Sequence, residues 1–226
     1  MIVRLALVLG LCLVSGGCAQ LPVSLQDTAL IQRESLWQQR QAAIADYLTW
    51  DITGRLAVRA GDQAGSATIV WQRRDQSSRI DLIGAFGGQR LKIVVGSNGA
   101  SLQSSSDRLI TGPTAEAVLY QALGWQVPFT QLGYWLRGLP GPQTAEATEV
   151  DKSGKLLKLV QSGWEVNYLD YQNYDSVELP RKIYARALSA GLPEDVRVGA
   201  GPETEFTVKI IIKRWQKETT GEDESA

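Results

Sequence analysis

Between Trp50 and Val95, apolar residues recur at every second position in four short runs: Gly54–Arg59, Ser66–Gln72, Arg79–Ile83 and Leu91–Val95. A period of two is the mark of strands in a half-buried antiparallel sheet. One face collects Leu56, Val58, Ala67, Ile69, Trp71, Ile80, Leu82, Leu91, Ile93 and Val95. The other face is mixed, with Arg55, Arg59, Thr68, Gln72, Arg79, Asp81 and Lys92. Between the third and fourth runs, Gly84-Ala85-Phe86-Gly87-Gly88-Gln89 sets a lone Phe among glycines. Hairpin turns ordinarily place Asn, Asp or Gly there. On pattern alone, Phe86 is either hairpin core or an exposed apolar tip. A curved sheet with one apolar face and such a loop points to a binder of apolar ligands.

Upstream, Thr28–Leu48 takes a helical period, with Trp37, Gln41, Ile44 and Leu48 on one stripe and Asp27 or Thr28 as cap. It predicts a helix that covers one face of the sheet. Downstream, Gly96-Ser97-Asn98-Gly99 is a hairpin turn, and Ala100–Gln103 and Arg108–Ile110 read as strands. A helix then opens with Thr114 as cap and Glu116 in its first turn, and it stops at Gly124. Next, Thr130 can cap a helix of about two turns carrying Leu132, Trp135, Leu136 and Leu139, closed by Pro128 before it and Gly138 and Pro140 after it. Such a short helix must lie on something apolar, either ordinary core or the sheet's concave face, where it would be a lid. Beyond the linker Gly141–Ala147, the runs Ala147–Val150, Leu156–Gln161, Trp164–Tyr171, Leu179–Leu188 and Thr204–Trp215 are strands. Ten or eleven antiparallel strands with three helices are expected, and a sheet that large must curl or close.

The N-terminus changes the picture of where this domain works. Met1–Arg4 supplies a positive charge, and Leu5–Val14 is a ten-residue apolar run. A spanning helix needs about 20 apolar residues, so the run fits the core of a signal peptide. Ser15-Gly16-Gly17-Cys18 follows. It is similar to the end of bacterial lipoprotein signals, in which small residues precede a cysteine that becomes the lipidated N-terminus. Position 15 is usually Leu in such signals and is Ser here. Cys12 is the rival, but Leu11 before it is too bulky for cleavage. A plain secretory signal with an incidental cysteine is the alternative. If Cys18 carries diacylglycerol on sulfur and an N-palmitoyl group, about 0.8 kcal/mol per buried CH₂ holds the chain in a membrane almost irreversibly. By the same similarity, Ala19 after it is compatible with passage to the outer membrane.

Composition then removes function classes. The net charge of -1 leaves no basic field for nucleic acid. The chain has no histidine, and hence no Ser-His or Cys-His arrangement and none of the commonest metal ligand. Its two cysteines, Cys12 and Cys18, offer no disulfide framework. No phosphate-binding loop or paired acids for Mg²⁺ are visible. Lone carboxylates such as Asp81 and Asp170 read as exposed surface charges, with no partner discernible from sequence. No enzyme, metal or cofactor is expected.

Motifs spread over nearly the whole mature chain resemble the LolB family of outer-membrane lipoproteins. They are Trp50…Gly54-Arg55-Leu56-Ala57, Trp71-Gln72, Ile83-Gly84-Ala85-Phe86-Gly87 with Leu91, and Gly163-Trp164…Val166…Tyr168 with Leu179-Pro180 and Lys209…Ile212…Trp215. The most specific is Gly124…Val127-Pro128…Leu132…Trp135-Leu136…Gly138-Leu139-Pro140. The resemblance implies an α+β, mostly β fold: an incomplete, half-open antiparallel barrel of about 10–11 strands with a helical lid over an apolar cavity. It implies a signal peptide at 1–17, a lipidated tether at 18–27, a lipoprotein-binding domain at 28–215 and a disordered polar tail at 216–226. The implied role is to accept lipoproteins from the soluble periplasmic carrier LolA and release them into the outer membrane without ATP. LolA, acylated cargo and outer-membrane phospholipid are thus the expected partners, and a monomer is expected.

On this reading, cargo acyl chains enter a cavity lined by Leu56, Val58, Ile69, Trp71, Leu82, Ile93 and Val95. The lid residues are Trp125, Phe129, Leu132, Trp135 and Leu136. Phe86, flanked by Ala85 and Gly87, falls on the family's membrane-delivery loop, whose tip is usually Leu and is preceded by Pro. A structural or assembly lipoprotein that binds a protein partner is the competing reading. The carrier LolA shares the fold, but Cys18 argues against it.

Overall fold

The computed structural model describes residues 25–45, 47–61, 63–84, 89–124, 127–174, 177–188 and 206–217. The first six strands form a meander: β1 (Trp50–Ala60), β2 (Gln63–Arg74), β3 (Ser77–Gly84), β4 (Gln89–Gly96), β5 (Gly99–Ser104) and β6 (Leu109–Gly112). β1 begins four residues before its predicted start at Gly54. Trp50 and Ile52 continue the inward alternation, and both are buried. Register puts the apolar positions side by side, with Ile69 opposite Leu82, Trp71 opposite Ile80, Ile80 opposite Ile93 and Leu82 opposite Leu91. The single apolar face expected from the sequence is therefore one continuous surface.

The second meander is β7 (Ala147–Val150), β8 (Leu156–Gln161), β9 (Trp164–Tyr174), β10 (Val177–Ala187) and β11 (Phe206–Lys217). All eleven described strands belong to one antiparallel sheet of order β6-β5-β4-β3-β2-β1-β11-β10-β9-β8-β7. The first and last strands pair at its middle, while β6 and β7, four residues each, remain the two edges. The sheet curls without closing, and the fold is the expected half-open barrel. On β11, Phe206, Val208, Ile210 and Ile212 are buried, and Thr207, Lys209 and Ile211 alternate with them.

A bulge between Thr53 and Gly54 interrupts the β1–β11 pairing. There the β11 backbone comes so close that a Cβ on Gly54 would overlap the Ile211 carbonyl oxygen. A bulge of this kind bends a strand and increases its twist, which helps a long sheet to curl.

Three helices complete the described structure. α1 (Leu25–Ala45) sinks Trp37 and Ile44 into the core. Leu48, expected on the same stripe, is 45% exposed. The helix ends at Ala45 and the chain turns, with the Tyr47 amide donating to the Ile44 carbonyl, so Leu48 leaves the stripe. α2 (Ala115–Leu123) starts as predicted, with the Thr114 hydroxyl accepting from the Ala117 amide at 3.2 Å. It ends at Gly124 in a left-handed conformation, φ 72°.

α3 (Phe129–Trp135) departs from expectation at its cap. Thr130 lies inside the helix, and its amide and hydroxyl both donate to Glu116 Oε1, at 2.9 and 3.0 Å. The first-turn carboxylate of α2 thus satisfies the start of α3, where Pro128 has no side chain able to do so.

Asp81 departs from the expected exposure, and both it and Asp170 have partners that the sequence left open. Asp81 is only 8% exposed and is paired with Arg79 and Arg90, while Asp170 pairs with Arg181. Arg79 shares strand and face with Asp81, whereas Arg90 and Arg181 come from the neighbouring strands β4 and β10, a proximity that side-chain alternation alone does not reveal.

Replacing Gly54 with Ala should lower stability by about 1–3 kcal/mol, because the added methyl must displace backbone rather than a flexible side chain. Urea denaturation followed by tryptophan fluorescence measures this, and an unchanged midpoint would refute the close approach.

Candidate functional site

The inner faces of β1, β2, β3, β4 and β11 enclose, with α2 and α3, an apolar cavity of about 90 Å³. Sheet residues supply Leu56, Val58, Ile69, Trp71, Leu82 and Ile93, and also Ala67, Ile80, Phe206, Val208 and Ile210. The roof is Leu119 and Leu123 of α2 with Val127, Phe129 and Leu132. No lining residue carries a charge, and Ser66 is the only one with a hydroxyl. The lining grades from buried at Ile69, Trp71, Ile80 and Ile93 to half-buried at Leu56, Val58, Leu123, Val127 and Leu132. The cavity therefore opens on the latter side.

Aromatic rings close its other end. Trp71 stacks on Phe129 with ring centroids 4.9 Å apart, Trp50 lies 5.4 Å behind Trp71, and Trp215 lies 5.1 Å from Trp50. Such contacts exceed simple area burial by about 0.5–1.5 kcal/mol per pair, so this end is stiff.

Of the seven cavity residues inferred from sequence, six line the space. Val95 shares their face but lies two residues beyond Ile93, outside the lining. Of the inferred lid residues, Phe129 and Leu132 face the cavity. Trp135 and Leu136 are buried away from it, and the Trp135 indole N–H donates to Gln161 Oε1 at 2.9 Å. Trp125, the loop residues Ala85, Phe86 and Gly87, and Cys18 lie outside the described residues. Phe206, Val208 and Ile210 were legible as an inward face, but their place in the cavity comes from the pairing of β11 with β1.

Two buried polar side chains hold the far end of α3. Gln161 accepts from Trp135 Nε1 and from the Gly141 amide at 2.8 Å, and its Nε2 donates to the carbonyls of Gly141 and Gln143. Arg137 is 1% exposed and donates from Nε to the Gly133 carbonyl and from a terminal nitrogen to the Tyr47 carbonyl, at 3.1 and 2.9 Å. Its guanidinium lies 4.9 Å over the Tyr134 ring. Desolvation, then the neighbouring Arg73, pushes its pKa down to about 10, with Tyr134 acting the other way. It stays charged at neutral pH, and its charge-assisted hydrogen bonds tie the end of α3 to the Gly133 and Tyr47 carbonyls. α3 is thus pinned at its C-terminal end, while Phe129 and Leu132 at its other end roof the cavity.

Residues 48–215 match the family described as "Outer membrane lipoprotein LolB". The chain belongs to the LolB family. That stretch contains the whole cavity and every strand as far as Trp215, whereas α1 precedes it. Among LolB relatives, the "Outer-membrane lipoprotein LolB" of Alkalilimnicola ehrlichii is 32% identical over 205 residues, 90% of this chain and 92% of that one. The protein of the same name from Nitrosococcus oceani is 31% identical over 214 residues, 94% and 97% of the two chains. That of Cellvibrio japonicus is 35% identical over 153 residues, 66% and 74%. Among the described residues, no helix is long and apolar enough to cross a membrane, and no cluster of acidic, His or Cys side chains could hold a metal.

Leu56 sits on the open side of the cavity, where a larger side chain can fill space without disturbing the Trp71 end. Leu56→Trp should weaken binding of an apolar naphthalene dye by about tenfold while costing no more than about 1–3 kcal/mol of stability. Fluorescence titration of the dye reads the first effect and thermal denaturation the second; undiminished dye affinity would place the binding elsewhere.

Proposed function

We propose that this protein is the outer-membrane acceptor of the lipoprotein-localisation pathway. It takes acylated lipoproteins from the periplasmic carrier LolA and passes them into the outer membrane, itself anchored there by lipid on Cys18 and facing the periplasm. The observation that carries the reading is the charge-free apolar cavity between sheet and helices, in a chain of the LolB family. An acyl chain is apolar along its length and has no group for a charged wall to recognise. The cavity fits that chemistry.

The volume adds a requirement. A cavity of about 150 Å³ holds one benzene-sized molecule, so about 90 Å³ cannot contain a whole acyl chain. Uptake needs the roof to move away from the sheet. The fastening of α3 bears on this: its start is tied to Glu116 of α2, so the end carrying Phe129 would move together with α2, whose Leu119 and Leu123 share the roof.

Without nucleotide chemistry, transfer runs downhill. A tenfold preference over the carrier needs only about 1.4 kcal/mol. Phe86, on the loop between β3 and β4, then enters the bilayer surface. Burying a Phe side chain contributes roughly 1.5–3 kcal/mol, enough to bias delivery and too little to anchor. Residues 1–17 act as the signal peptide, 18–27 as the lipidated tether, 28–215 as the binding domain and 216–226 as a polar tail. The strand β11 itself continues to Lys217.

Mixing the mature chain, with Cys18→Ala in place of the anchor, with LolA loaded with an acylated lipoprotein should move the cargo to this protein without ATP, as read by pull-down. Cargo that stays on the carrier would sink the proposal. Phe86→Glu should leave folding and cargo uptake intact and abolish delivery into outer-membrane vesicles; a variant that still delivers would remove the loop from the mechanism.

A further inference from the structure

The outer face of the β3–β4 hairpin carries a chemistry unlike that of the cavity. The Asp81 carboxylate accepts from Arg79 Nε at 3.2 Å and from Arg90 at 3.2 and 3.3 Å, and Lys92 stands directly opposite it in register. The carboxylate engages one edge of each guanidinium. The rest of each side chain faces solvent, with Arg79 51% and Arg90 60% exposed. With Gln103, Ser104, Ser105 and Asp107, these groups line an open groove of about 360 Å³ holding three cations and two acids.

Aliphatic side chains stand among them. Ile83, opposite Arg90, is 44% exposed, and Val94, opposite Arg79, is 39% exposed. Register continues from Ile83 to Thr68 on β2 and from Thr68 to Arg55 on β1. The row Arg90-Ile83-Thr68-Arg55 therefore crosses four strands with cations at both ends, an aliphatic group beside one of them and no acid. Arg90 and Ile83 are the outward-facing positions nearest the β3–β4 loop in sequence.

We propose that this face, built by Arg55, Arg79, Ile83, Arg90 and Lys92, docks onto a bilayer containing anionic phospholipid. The inference rests on the function proposed above only in that the adjoining loop delivers cargo to a membrane. Phosphate groups of the lipid headgroups meet the guanidinium and ammonium groups. Ile83 and Val94 reach toward the glycerol and acyl boundary, with the arginine stems lying along it. A free anion would account for the cations but not for the exposed aliphatics. Asp81 is a positioning residue: it holds two guanidinium groups apart and leaves their outer edges to the headgroups.

Arg55→Glu with Lys92→Gln tests the face and sets no second carboxylate opposite Asp81. The probe is vesicle cosedimentation of the mature chain carrying Cys18→Ala, with circular dichroism to verify folding. Affinity for phosphatidylglycerol-containing vesicles should fall by about tenfold or more, and that of the parent should weaken with added salt. Binding to pure phosphatidylcholine vesicles should not respond to the substitutions, and inorganic phosphate should not displace the parent. Unchanged affinity for the anionic vesicles overturns the proposal. Displacement by inorganic phosphate also overturns it, by making the groove a small-anion site. Loss of cargo uptake from LolA in solution with vesicle binding retained makes the face a protein contact; that overturns the docking and leaves the acceptor reading standing. A chain that binds vesicles through these residues yet takes no cargo supports the docking and removes the acceptor reading.

Discussion

The pairing of β1 with β11 is the contact on which the rest of the molecule depends. It joins residues about 150 positions apart in sequence and turns two meanders into one sheet. Without it, β1 to β6 would expose Leu56 and Val58 at an edge, parted from Phe206, Val208 and Ile210, with which they line the cavity. The bulge at Gly54 lies within this pairing, where the two backbones approach too closely for any side chain. Curl, cavity and half-open shape all follow from a central seam that is long, well registered and bent at one point.

The roof shows a second constraint, an unequal fastening of one short helix. At seven residues, α3 is too short to persist alone and takes its position from what holds its ends. Its start is satisfied by a carboxylate from α2, and its end by Arg137, Trp135 and the fully buried Gln161. Polar groups buried this deeply are costly unless every partner is in place, so the pinned end resists displacement. Thr130 between them is tied to Glu116, but the side chains of Phe129 and Leu132 themselves make non-directional apolar contact, which can be exchanged for contact with another apolar surface. The helix is therefore tied by polar bonds to α2 and to β8, while its side chains over the cavity make contacts that can be exchanged.

The two faces of the sheet divide the chemistry. Inward positions exclude charge from the cavity, and outward positions gather it into pairs and rows. Because side chains alternate along a strand, one short run such as Arg79–Ile83 serves both faces at once, with Ile80 and Leu82 inside and Arg79, Asp81 and Ile83 outside. A hydrophobic residue at an outward position among cations departs from that alternation, and Ile83 is such a residue.

Much of this was legible from residues alone because strand and helix periods are local properties. Alternation placed all eleven strands to within a few residues and identified the apolar wall from Leu56 to Ile93. Thr114 and Gly124 marked the ends of α2 because capping is settled within a few positions. The sequence by itself determined which strand positions face inward, where the strands lie to within a few residues, and the motifs of its family. Tertiary structure alone decided which strands meet at the seam, that Glu116 rather than Thr130 caps α3, and that Asp81 is buried between two arginines. It also decided that Trp135 and Leu136 are buried away from the cavity while Phe129 and Leu132 help to roof it, and that Val95 falls outside the lining. The reason is physical: periodicity reports a residue's orientation relative to its own backbone, whereas a partner far along the chain is chosen only when the whole sheet has closed around its core.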